Sequence, residues 1–481
     1  LVLYVLVALG GMVSWLAILQ RWRTGLFLLI GYLPFGGVLV LLTNSNPLMT
    51  LAKDVLFILP LYLSFFLRGI SLSRGQVPAP LALTLGALVL MVVAQMANPG
   101  VASPLIALVG AKVWLLYIPL LFVTQAAIRT GEDMQNLLRA MIFFAPVPCL
   151  IGLAQYVGSS TVGHVETLSA FYGEQAAAAA SQNFSAFEYG ATLYRLPSTF
   201  TSVAQYSGYL QATIIPAYCV ARSDISAAWR RYAYFLLPLL IIAGLLSGAR
   251  SAFVFIPAIL VFILVADRVL VGAMTWIFAT PTILLLTLTV AGFDLDRLFG
   301  GIGELAIQNA KGVTGGLIVE ALEKFPLGTG TGMNTNGARH VAPGGHVLFG
   351  YESHYAKTIV ELGIPGLLAV TGLYAVMIWR GWQVRYRARG TRWTSVAAAA
   401  LAFLLLFPIH SLKGWPLDWE PGSVYFWILC GFVCALPRLI DAERAPAGPA
   451  HARSGLRLRG PLGAYPHLLA GARRRPLTPP G

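Results

Sequence analysis

Apolar runs of about 16 to 22 residues recur along most of this 481-residue chain, and that recurrence leaves few folds open. An α-helix rising 1.5 Å per residue needs about 20 residues to cross some 30 Å of hydrocarbon. Only 11% of the residues are charged, against roughly a quarter in soluble domains, too few to keep such runs in water. The ten-residue alternation of an outer-membrane barrel is absent. The expected class is an all-α polytopic membrane protein with about 12–14 transmembrane helices and two long extracytoplasmic loops. Spans are read near 1–19, 25–43, 48–66, 81–96, 104–124, 138–157, 206–220, 232–246, 253–266, 271–291, 356–379, 396–410 and 424–436.

Lys and Arg in the connecting segments orient these spans. Placing 20–24, 68–80, 125–137, 221–231, 267–270, 380–393 and the tail from 437 on one side collects about 22 of the 33 basic residues there. That side reads as cytoplasmic, in a bacterial inner membrane. The formal net charge of +14 then reflects topology rather than a nucleic-acid surface. An odd number of spans puts Leu1 outside, and with no initiator Met a further upstream helix is expected. Cys149, Cys219, Cys430 and Cys434 all fall in apolar spans, where thiols behave as small hydrophobes. Neither a disulfide nor a metal site is read from them.

The expected organisation is a transmembrane domain over 1–437, with outer loops near 158–204 and 292–355, and a basic, Pro- and Gly-rich cytoplasmic tail over 438–481 without order. The first outer loop holds an alanine run over 176–180, expected to be a short helix, then LYRLPSTFTS. The second holds an amphipathic helix near 316–324, the glycine string PLGTGTGMN, and YESHYAKTIVELGIPGL. The string is read as a turn where backbone approaches a ligand or a neighbouring helix.

Charges on the outer face are the candidates for chemistry. Arg250, in SGARSA between two apolar runs, and Arg195, in LYRLPS, carry guanidinium groups suited to bidentate phosphate binding. Snorkelling, or an ion pair with Glu188, is the other reading for each. His354 immediately precedes a span, and an imidazole there can take a proton from an acceptor hydroxyl near neutral pH. Glu361 lies two helical turns further along the same face. Lys112, near the outer end of its span, could meet a phosphate or pair with Asp54. The remaining histidines fit no metal signature, and no metal or other cofactor is expected.

Three segments together resemble the O-antigen ligase and O-antigen polymerase superfamily. SGARSAF resembles its S-x-S-R-x motif, and RLPSTFTSVAQYSGYL its R-x-x-G-T-F-x-x-P-N stretch. ALEKFPLGTGTGMN with ESHYAKTIVELGIPGL resembles its P-x-x-G-x-G loop and H-N-x-x-x-x-x-x-E-x-G-x-x-G-L helix start. The resemblance implies a periplasmic-face, inverting, metal-independent glycosyltransferase. It would move glycan from undecaprenyl diphosphate onto a glycan or lipid acceptor, with membrane lipids around it. Arg195 and Arg250 would hold the diphosphate and His354 would be the base. The chain departs from the pattern at Ser198, Ala204, Gln205 and Tyr355. It also lacks the second-loop arginine before a tryptophan, for which Lys311 or Arg339 could substitute.

The competing reading is a transporter or flippase of lipid-linked oligosaccharide. It calls for charges deep in the spans along a central cavity, whereas most mid-span positions here are apolar.

Overall fold

The computed structural model describes residues 2–43, 46–69, 77–174, 187–189, 191–267, 282–283, 285–286, 288–309, 312, 316–342 and 350–445. Residues Leu1–Glu443 form one compact unit and Arg444–Gly481 a second, of which only 444 and 445 are described. The expected alanine-run helix at 176–180, most of the span at 271–291 and the tail beyond 445 lie outside the described residues.

The protein is a multi-pass helical membrane protein. Among the described residues, seven helices are long and apolar enough to cross a membrane, and four shorter apolar helices accompany them. Among the described residues, strand is confined to one small antiparallel hairpin, Phe187–Tyr189 with Ala191–Leu193.

Several expected spans are broken, for identifiable reasons. The run 25–43 divides at Leu33–Phe35, a 3-10 turn holding Pro34, between helices Trp22–Tyr32 and Gly36–Leu42. The run 48–66 divides into Pro47–Thr50, a π-turn at Asp54–Ile58 and Leu59–Leu67, with the charged pair Lys53 and Asp54 at the junction. The run 138–157 divides at Pro146; its first part, Gly131–Phe143, opens with a capping box between Thr130 and Asp133.

Two helices form the centre. Gly422–Arg444 is buried along nearly its whole length. Val203–Ser223 packs against helices Ala227–Leu245, Thr394–His410 and Gly131–Phe143. It carries Tyr206, Tyr209, Gln211, Thr213 and Tyr218, all buried. On this helix, which faces other helices rather than lipid, Gln211 donates to Ser207, Thr213 to the Tyr209 carbonyl and Tyr218 to Asp267, bonds that replace hydration.

Helix His354–Arg387 has a break that positions the second outer loop. Gly363 sits at φ 71° and ψ −171°, and Pro365 follows. Proline has no N–H for the carbonyl four residues back. Gly330 donates to that carbonyl of Glu361 at 3.2 Å, Thr329 donates to the Val360 carbonyl at 2.7 Å, and Ile364 turns to Pro326 at 2.9 Å. The glycine string therefore serves as backbone partner to a broken helix. Its Gly332 also lies so close to Gly110 that a Cβ on the latter would come within 2.3 Å of the Gly332 nitrogen. The close approach is to neighbouring helices.

Candidate functional site

Arg195 and Arg250 lie 55 positions apart in sequence, yet their segments are one structural unit. The turn 247–250 carries Gly248 at φ 82°, a left-handed conformation that favours glycine. A Cβ at Gly248 would come within 2.2 Å of the Tyr194 carbonyl oxygen and 2.6 Å of Arg195 Cα. Only a residue without a side chain lets the two backbones touch. The Leu196 amide then donates to the Ser247 carbonyl at 3.0 Å. Ser198, the other strained position, has φ 50°. It is held by its amide to Gln155 Oε1 at 2.9 Å and its hydroxyl to the Pro148 carbonyl at 2.6 Å.

Both arginines line one cavity of about 580 Å³ at the N-terminal end of helix Val203–Ser223. Lys413 adds a third cation and Glu352 the carboxylate that faces it at 3.7 Å. Trp415, Trp419, Phe255 and His410 supply ring surfaces, and Ser207, Gln211 and Ser251 polar groups. Burial and the positive charge of Arg250 both push the Arg195 guanidinium below its ordinary pKa. Two like charges held together in a partly dehydrated cavity favour an anion between them.

His354 does not line this cavity. Its side chain is fully buried, and neither ring nitrogen has a hydrogen-bond partner. The backbone just before it does reach the cavity: Glu352 and Gly414 line it and are joined by a Gly414-to-Glu352 backbone bond of 2.7 Å. The His354 amide donates to the Ser411 carbonyl at 3.0 Å. Asp418 Oδ1 lies 3.9 Å from His354 Nδ1, and the Trp114 ring packs at 5.3 Å.

His354, Lys357 and Glu361 share one helix face, at spacings of three and four. All three are buried without exposure. Lys357 pairs with Asp418, stands 4.0 Å from Glu361, and lies over the Trp114 ring at 5.0 Å. Glu361 accepts from the Trp114 indole at 2.7 Å, the Asn334 amide at 2.8 Å and the Thr335 hydroxyl at 2.9 Å. It fixes the glycine-string loop to the helix rather than touching the cavity. Burial pushes the Asp418 carboxyl up to about 6, against the opposing charge of Lys357.

Lys112 pairs with Asp54 at 2.8 Å, the second of the two expected alternatives. The pair belongs to a wider buried group: Lys53 meets Glu420 at 2.6 Å and Asp54 at 3.5 Å, and Tyr117 donates to Glu420. Two ammonium groups and two carboxylates balance, as burial requires. Lys311 lies outside the described residues. So does the Arg339 side chain, while its backbone sits in the 3-10 turn Asn336–His340.

Sequence reasoning passed over the connector 411–421, which supplies Lys413, Trp415, Asp418, Trp419 and Glu420 to these clusters. Its signal was visible in LKGWPLDWEP, two tryptophans and three charges in one short link between spans. No group of three or more His, Cys, Asp or Glu able to hold a metal occurs among the described residues. In comparisons with known proteins, no family model matches the chain, and no curated protein matches it.

Proposed function

We propose that this chain is a membrane glycosyltransferase of the O-antigen ligase and polymerase type. In this reading it works on the extracytoplasmic face of a bacterial inner membrane, with its C-terminus in the cytoplasm. It takes glycan from a polyprenyl diphosphate and joins it to an acceptor hydroxyl. The observation that carries the reading is the meeting of Arg195 and Arg250 on one cavity wall, with Lys413 beside them. Guanidinium pairs bind diphosphate oxygens through parallel charge-assisted hydrogen bonds. They stabilise the same charge as it grows on the leaving group.

In the proposed step the acceptor oxygen bonds to the anomeric carbon, and the carbon–oxygen bond to the diphosphate breaks with its electron pair leaving on phosphate. In this reading the hydroxyl proton passes to His354, whose ring nitrogens have no hydrogen-bond partner. In this reading Asp418, 3.9 Å from the ring, balances the imidazolium. Base action by His354 requires its buried ring to open to the cavity while Asp418 stays beside it.

The test is turnover. Purified protein given an undecaprenyl-diphosphate-linked glycan and acceptor should release undecaprenyl diphosphate as sugar is transferred, and Arg250→Ala should abolish it. Movement of intact lipid-linked glycan across liposomes without turnover would replace this reading with the transporter.

A further inference from the structure

The arginine cavity has a direction. On one side its wall is polar, with Glu352, Lys413 and Trp415. It shares lining with a narrow, mostly apolar cleft of about 50 Å³ between helices Val203–Ser223, Ala252–Asp267 and Thr394–His410, room for the first few carbons of a chain. Ile259, Phe403, Leu406 and Phe407 form its apolar wall, and Gln205, Gln211 and Glu420 also line it. Phe255 and His410 line both spaces, as do Ala204, Gly208, Gln211 and Trp419, so these residues stand at the junction. The Phe255 and His410 ring centroids lie 4.6 Å apart with the planes tilted by 49°, a contact that holds the imidazole at the mouth of the cleft.

The geometry points to His410 as a further substrate-binding residue, one that recognises a prenyl diphosphate as distinct from a bare diphosphate. A lipid diphosphate joins an anionic group to a hydrocarbon chain through a single oxygen. With the diphosphate on Arg195 and Arg250 and the chain in the cleft, that oxygen and its phosphate lie at the junction. There an imidazole N–H can donate a hydrogen bond, while Phe255 covers the first carbons. The same orientation sends the sugar toward Glu352 and Gly414, the part of the wall that Ser353, the residue before His354, bridges. The inference rests on the diphosphate reading of the cavity and adds to it the chain's own recognition.

The experiment compares two probes, inorganic pyrophosphate and geranyl diphosphate, binding to the full chain in lipid nanodiscs. Wild type should bind geranyl diphosphate at least about tenfold tighter than pyrophosphate. His410→Ala should erase most of that preference while lowering pyrophosphate affinity far less, and a thermal melt matching wild type certifies its fold. His410→Gln, which keeps a donor, should retain part of the preference. Arg250→Ala should lose both probes, excluding partition of the geranyl chain into lipid. Equal binding of the two probes by wild type, or an equal loss of both in the His410 variants, would overturn the assignment and leave the arginine site standing. Failure of wild type to bind either probe would overturn the diphosphate reading together with it.

Discussion

The amide of Leu196 donates to the carbonyl of Ser247 at 3.0 Å, and this bond joins the two segments that carry Arg195 and Arg250. It forms only because Gly248 has no side chain to hold the backbones apart. Gly248→Ala should therefore leave the helical bundle folded while it separates the arginines. We expect diphosphate affinity to fall by about tenfold or more, in line with the 1–3 kcal/mol attached to such strained positions. The check is pyrophosphate binding alongside a thermal melt; unchanged affinity would show the arginines to be placed by other contacts.

Lys53 and Glu420 form a nearly buried ion pair at 2.6 Å within the four-charge group. Removing one partner of such a pair leaves the other charge buried and costs about 3–5 kcal/mol. Lys53→Met should lower the melting temperature in detergent markedly, and adding Glu420→Gln should recover part of the loss. A double variant less stable than the single would show that Glu420 is held by Lys112 alone.

Asp418 gives a pH signature. Its carboxyl is pushed up to about 6 by burial, so the folded protein binds this proton more tightly than the unfolded chain does. The resulting stability is fully present below about pH 4 and is lost as pH rises through about 6. Melting temperatures taken across that window should fall with pH more steeply for wild type than for Asp418→Asn. Parallel curves would place the carboxyl in the ordinary range.

Gly330 holds φ 118° and donates to the carbonyl that Pro365 leaves without a partner. A Cβ there would meet Val101 at 2.1 Å. Gly330→Val should loosen the glycine string from the helix break, destabilising the fold by about 1–3 kcal/mol. Faster hydrogen exchange should follow at Thr329 and Ile364, and native-like protection there would contradict the coupling.

The membrane class was legible because lipid selects on mean hydropathy over a span, a property any window of sequence reports. Arg195 and Arg250 were legible because charge beside an apolar run is rare. Helix Val203–Ser223 reads poorly on the same scale, since its Tyr, Gln and Thr face other helices. The breaks at Pro34, Lys53 and Pro146 depend on what packs around them, which a run of apolar letters does not record. Asp418 and Glu420 were missed for a related reason. Their partners Lys357 and Lys53 lie 61 and 367 positions away, and only the fold brings them together.

The central claim is that Arg195 and Arg250 hold one diphosphate between them. Calorimetric titration of inorganic pyrophosphate into wild type, Arg195→Ala, Arg250→Ala and the double variant tests it directly. The account predicts a single site, at least about tenfold weaker in each single variant, with the double variant losing less than the product of the two. Affinities unchanged in either single variant, or two losses that multiply as independent sites do, would contradict it.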